Sequence, residues 1–264
     1  MAIHRDTQWP CPNGFHIPTK DEWQALYDIL VITFERPQNY STLRTYLKMP
    51  TPTALSNTTG GPSTSKTTWY YWTSTTLPGD DARAYVVNFT SSTFVIADYA
   101  KSNGMSIRPF ADAAVEPESS RTTLYDWSSI ASGAWIFMGG WYISISWDWS
   151  TRITIADKNV WATSVYNGST SAATSWSFFQ RWNNHKFPYA GVVGSTTAEK
   201  VDVSKYWPWR YYSGQTFITT SSSGNLDWAD PSNNNLWGGV TNWTRQDPVP
   251  FIYHGLIWTW HISA

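Results

Sequence analysis

Thr19 and Glu22, set three residues apart directly after Pro18, constrain this chain more than any other feature because together they fix where a helix begins. In such a capping box the hydroxyl accepts from the amide of the third residue on. The carboxylate reaches back to the cap's own amide, so two orphan donors are satisfied at once. Trp23, Leu26, Tyr27, Leu30, Val31 and Phe34 then recur at steps of three and four, one apolar stripe that stops before Pro37. Ser41 is placed to cap a shorter second helix, with Leu43, Tyr46 and Leu47 facing inward and Pro50 beyond its end.

After the helices the period shortens. Ser56 to Ser63, with its paired glycines and Pro62, reads as a loop. Four short β-branched and aromatic runs follow at 69–73, 84–89, 93–96 and 105–110, a spacing that suits an antiparallel meander. Pro78-Gly79-Asp80-Asp81 and Ser102-Asn103-Gly104 separate them, and Asn-Gly is a strong turn signal.

Composition narrows the functional classes. The 264 residues allow one large or two ordinary domains, and 41% apolar residues suffice for a real core. Charged residues are only 14% and net charge is −1, so nothing draws phosphate backbones or anionic lipid, and nucleic acid is set aside. The longest apolar run, Ile29 to Ile32, is far too short to span a membrane, so no membrane insertion is expected. The segment Ala2-Ile3-His4-Arg5-Asp6 has no apolar core of a signal peptide. A single cysteine, Cys11, excludes an internal disulfide and a multi-cysteine zinc site.

Four ordered motifs carry a resemblance: Cys11-Pro-Asn-Gly-Phe-His-Ile-Pro-Thr-Lys-Asp-Glu-Trp23, Tyr71-Trp72-Thr73-Ser74, Ala84-Tyr85 to Phe89, and Asn103-Gly104-Met105-Ser106-Ile107-Arg108-Pro109-Phe110. Over residues 7–110 they resemble the Fibrobacter succinogenes major paralogous domain. That family belongs to the C-type-lectin-like group, with the formylglycine-generating enzymes and the variable proteins of diversity-generating retroelements. The resemblance implies an α+β, C-type-lectin-like fold, loop-rich, with two helices flanking small irregular antiparallel sheets. It also implies a surface-displayed, tandemly repeated binding module. Formylglycine-generating relatives need a pair of cysteines, so a chain with Cys11 alone is expected not to be an enzyme.

Residues 1–110 are then the closing half of such a domain and 111–124 a linker. Residues 125–264 form a strand-rich segment holding the opening half and the start of a next repeat. Within it, 134–138, 141–146 and 151–155 read as strands, the last two joined by a hairpin at Trp147-Asp148-Trp149-Ser150. Ala156 to Thr163, Phe179 to Asn184 and Asn235 to Val240 resemble the opening half. Gln246 to His254 aligns without gaps to Gln8 to His16, which suggests a permuted domain or a piece cut out of phase from an array.

The chain has 19 Trp, and several stand where a turn is expected. Tight turns need residues that tolerate positive φ, and Trp does not suit them. By the resemblance, glycine is expected at Trp127, Trp147, Trp149, Trp161, Trp207 and Trp209. One nucleotide separates a glycine codon from UGA, so part of the excess is read as glycine codons translated as Trp. The other reading is a Trp-rich surface that stacks on sugars.

No catalytic set is legible. His16 before a helix start reads as a packed or capping residue, and His4, His185, His254 and His261 lack ligand spacing. Asp80 and Asp81 with Asp98, or Asp227 and Asp230 with Asn233 to Asn235, carry oxygens of the kind calcium takes. Acidic turn residues are ordinarily solvated, however, and no cofactor is expected. What remains is a ligand face, which the resemblance places between Trp69 and Lys101. Tyr70, Tyr85 and Tyr99 would stack and donate, while Asp80, Asp81, Arg83, Asp98 and Lys101 would orient the ligand. The expected function is non-enzymatic recognition or adhesion at an extracellular, cell or virion surface, with a glycan or protein receptor as partner. The alternative is a structural repeat with no particular ligand.

Overall fold

The computed structural model describes residues 11, 14–34, 40–63, 68–112, 122–126, 135–146, 152–168, 177–181, 183, 185–187, 193–206, 214–220 and 226–232. In chain order the elements are β1 (Phe15–His16), α1 (Lys20–Phe34), α2 (Tyr40–Tyr46), β2 (Trp69–Thr76), β3 (Arg83–Phe89), β4 (Phe94–Ala100), β5 (Gly104–Met105) and β6 (Phe110–Ala111). Then come β7 (Thr122–Asp126), β8 (Trp135–Met138), β9 (Tyr142–Ser146), β10 (Arg152–Ala156), β11 (Phe179–Gln180), β12 (Thr196–Thr197) and β13 (Val201–Asp202). A 3-10 turn at Val203–Tyr206, β14 (Phe217–Ile218) and β15 (Ala229–Asp230) complete the described chain.

The helix start is made as the capping box requires. Glu22 N donates to Thr19 Oγ1 at 3.1 Å and Thr19 N to Glu22 Oε2 at 2.8 Å. Trp23, Leu26, Ile29 and Leu30 of α1 are buried together with Leu43 and Leu47, in one cluster with Trp69, Tyr71, Val87 and Phe89 of the β2–β3–β4 sheet. Trp23 anchors it, its ring 5.0 Å from Phe110 and 5.8 Å from Tyr71. Tilted aromatic pairs of this kind add about 0.5–1.5 kcal/mol each beyond the area they bury.

Three of the four expected runs form the antiparallel sheet β2–β3–β4, with Trp69 opposite Phe89 and Phe89 opposite Phe94, whereas the run at 105–110 does not join it: its ends are β5 and β6, which pair in other sheets. Successive side chains of a strand point to opposite faces. Trp69, Tyr71, Val87, Phe89, Phe94 and Ile96 therefore face α1, and Tyr70, Trp72, Ala84, Val86 and Tyr99 face a second cluster with Met105, Ile107, Phe179, Ile218 and Trp228. β2 and the second half of β3 are buried on both faces, which explains why their runs read as almost continuously apolar, while β4 stays half-exposed.

The α+β class with helices flanking the sheets, of C-type-lectin-like type, is corrected here. The described residues hold fifteen strands, mostly in small antiparallel sheets, against two α-helices. Both helices add to a single cluster rather than lying on opposite sides. The physical reason is that helix caps and stripes announce themselves locally, whereas two-residue strands become strands only through partners far away in sequence. β5 pairs with β11, Met105 facing Phe179, and the largest sheet runs β1-β6-β10-β9-β8-β7.

That sheet also joins the segments expected to be separate units. Phe110 of β6 pairs with Ile155 of β10, so strands from 1–110 and 125–264 share one ladder. β6 and β7 both reach into the stretch expected as a linker, at Ala111 and from Thr122 onward. Arg108 stitches the same seam: its guanidinium donates to the carbonyls of Ala156 at 2.8 Å and Lys48 at 2.9 Å.

Candidate functional site

Strand alternation divides the five candidate residues within the strands, Tyr70, Arg83, Tyr85, Asp98 and Tyr99, between the two faces of β2–β3–β4, while Asp80, Asp81 and Lys101 stand in the adjoining turns. Arg83 and Tyr85 lie on the α1 side, and Asp98 stands directly opposite Tyr85 in the ladder. Arg83 Nη1 donates to Asp98 Oδ2 at 2.7 Å, and its Nε sits 3.6 Å from Asp80 Oδ2. Lys20 Nζ lies 5.7 Å from the centroid of the Tyr85 ring. Asp80, Arg83, Tyr85 and Asp98 thus form one half-exposed group, with Asp81 exposed beside it. Its carboxylates are spent on Arg83, which explains why they do not converge as a cation cage. Among the described residues no group of three His, Cys, Asp or Glu side chains is placed to hold a metal. Asn233 to Asn235 lie outside the described residues, as do Trp127, Trp147, Trp149, Trp207, Trp209 and the 246–254 recurrence.

Tyr70 and Tyr99 face the other way. Their rings meet edge to face, centroids 5.2 Å apart, at a cleft of about 140 Å³ bounded also by Ala54, Ser56, Ser63, Asn103 and Met105. The loop at 56–63 builds one wall because Ser56 N donates to Gly61 O and Ser63 N to Ala54 O, at 2.8 and 2.6 Å. Asn103 is held in place by two bonds: its Oδ1 accepts from Asn57 N and its Nδ2 donates to Ala100 O, both at 3.1 Å. Burial, and next the hydrogen bond to Tyr70, push the Tyr99 hydroxyl up to about 12, so it keeps its proton at any ordinary pH. Among the described residues the cleft lining carries no charged side chain: two phenols, two hydroxyls, an amide, a thioether and a methyl group. Of these, Tyr70 and Tyr99 were expected from the sequence. Ser56, Ser63 and Asn103 were read only as loop and turn residues, with no signal that the chain folds them beside a tyrosine pair.

Lys101 is not on a ligand face. Its side chain is fully buried, donates to the carbonyl of Asp81, and lies 3.6 Å from the equally buried Asp227. Burial pushes its ammonium down to about 8 against the pull of Asp227. The sequence placed Lys101 beside a turn, where lysines are usually solvated. The structure adds β11 and the 226–229 segment over it, with Arg181 N donating to Lys101 O at 2.9 Å.

Cys11 and His16 do not form a nucleophilic pair. Burial, then the charge of Asp112, raises the Cys11 thiol well above its ordinary range, the opposite of what an attacking thiolate requires. His16 sits between two carboxylates, Nδ1 2.7 Å from Asp112 Oδ1 and Nε2 2.9 Å from Glu22 Oε1. Burial alone would lower its pKa, but the bonds to Asp112 and Glu22 overcome that and raise it to about 9. A ring held as imidazolium is a latch and not a base.

Comparison with known protein families, with curated proteins and with solved structures returned no match.

Proposed function

We propose that this chain is a non-enzymatic recognition module, displayed at an extracellular, cell or virion surface, that takes the end of a glycan in the Tyr70–Tyr99 cleft. The observation that carries the reading is the pairing of two phenol rings with fixed neutral hydrogen-bonding groups around about 140 Å³. Liquid water occupies about 30 Å³ per molecule, so the cleft has room for about four or five waters or for one small ring. Sugar rings present an apolar face and hydroxyl edges, which is the chemistry that tyrosine faces with serine and asparagine edges complement. Among the described residues no charged side chain bounds the cleft, which suits a neutral ligand. Kinship of residues 7–110 with the major paralogous domain family, and with retroelement-diversified variable proteins, belongs to the same proposal and rests on the four motifs.

A glycan array tests it with two variants on opposite faces of the β2–β3–β4 sheet. Ser63→Phe fills the cleft from a half-exposed position and abolishes binding without changing the melting temperature. Tyr85→Ala leaves binding as it was. Binding that survives Ser63→Phe and disappears in Tyr85→Ala moves the ligand to the Arg83–Asp98 face and overturns the cleft assignment. A chain that binds no glycan at all leaves the structural-repeat alternative standing.

A further inference from the structure

Among the described residues, one contact between a primary amine and a carboxylic group is out of reach of solvent. Lys101 Nζ and Asp227 Oδ2 are 3.6 Å apart, and both side chains are wholly inaccessible. Asp227 Oδ2 accepts no hydrogen bond. The backbones that carry the two groups are clamped together, because Ser102 N and Oγ both donate to Leu226 O, at 3.2 and 2.8 Å. Arg181 adds a second cation, fixed by its bonds to the carbonyls of Thr73 and Ser74 and by its place 5.6 Å over the Trp72 ring. Trp228 Nε1 closes the far side by donating to Arg181 O at 2.6 Å.

We propose that Lys101 and Asp227 condense spontaneously after folding, forming an isopeptide bond between Nζ and Cγ that cross-links the chain. Two opposite charges buried dry are costly to maintain, and moving one proton from the ammonium to the carboxylate removes both. Burial acts in that direction on each partner, holding Lys101 at about 8 and raising Asp227. The neutral amine then attacks Cγ. The Nζ–Cγ bond forms, the Cγ–OH bond breaks, and the hydroxyl departs with an amine proton as water. Ammonium plus carboxylate gives amide plus water, with nothing oxidised or reduced and no co-reactant. The Arg181 charge, which acts on Asp227, stabilises the oxyanion of the tetrahedral intermediate. Fixed proximity supplies the rest: Nζ is held 3.6 Å from Oδ2 of the carboxyl it must attack, and a pair kept together in this way behaves as though present at very high concentration. The bond would join two points far apart in the sequence, so a pull on the folded chain could not draw them apart, which suits a surface adhesin.

The full-length protein decides this by mass. Denatured and digested with trypsin, it is expected to show a branched peptide joining the Lys101 and Asp227 segments, one water lighter than their sum, with no cleavage after Lys101. Lys101→Met removes the branch, and if that variant fails to fold the map of the unaltered protein is sufficient by itself. Complete cleavage after Lys101 at full mass, or a missing water mapped to any other pair of residues, overturns the proposal.

Discussion

His16 Nδ1 donates to Asp112 Oδ1 at 2.7 Å across 96 residues of sequence, tying the segment that leads into α1 to the residue after β6. The latch titrates. The folded pKa of His16 is about 9 against an ordinary 6.5, so its contribution is complete below pH 6.5 and is lost as pH rises through 9. Glu22 is the reverse case. Burial would raise it, but the hydrogen bond to His16 and then its charge hold it near 2 against 4.5, so its share is present above 4.5 and lost as pH falls through 2. Both shifts report the same contact and are counted once. Denaturant unfolding across pH is expected to show a plateau between 4.5 and 6.5 and a loss of about 3 kcal/mol toward pH 10. His16→Gln flattens that alkaline limb. A limb unchanged in His16→Gln contradicts the assignment.

Trp161 has φ of 64°, in the left-handed region, and the residue is 38% exposed. A non-glycine residue there stores about 1–2 kcal/mol of strain. Lys186 Nζ lies 5.0 Å above the ring. Trp161→Gly is expected to stabilise the protein by roughly 0.5–1 kcal/mol, after the greater freedom glycine gives the unfolded chain. Chemical denaturation measures it, and a loss of stability would mean that the ring packs better than its exposure indicates. UGA at this codon in the source gene would trace the residue to glycine, and UGG would remove that origin.

Gly104 tests a different use of glycine. A Cβ built on it would stand 2.9 Å from Leu55 Cβ, an atom next to backbone that has nowhere to yield. The approach is that close because Gly104 N donates to Leu55 O while Leu55 N donates to Gly104 O, at 3.0 and 2.7 Å. Gly104→Ala is therefore expected to cost roughly 1–3 kcal/mol by overpacking. Thermal unfolding that is unchanged within error would contradict it.

The sequence disclosed the parts of the fold that are specified locally. α1 starts at the Thr19–Glu22 box and ends before Pro37, and α2, β2, β3, β4, β8, β9 and β10 fall within a few residues of the patterns that announced them. Gly104 shows where that reading failed. Asn103-Gly104 has the chemistry of a hairpin turn, yet Gly104 is strand, chosen because Leu55 leaves no space for a side chain. β11 to β15 are two residues each and exist only through distant partners, so no period could reveal them. The candidate site divided in the same way. Tyr70 and Tyr99 were legible as aromatic strand residues, whereas the burial of Lys101 depends on Asp227 and Arg181, which come from segments with no local link to it.

Solution NMR of the tyrosine ring protons during titration with simple methyl glycosides tests the cleft most directly. Saturable shifts of the Tyr70 and Tyr99 resonances are expected, with the Tyr85 resonances unmoved, and those shifts are lost in Ser63→Phe. Shifts confined to Tyr85, or none for any sugar that the array identifies as bound, would contradict it.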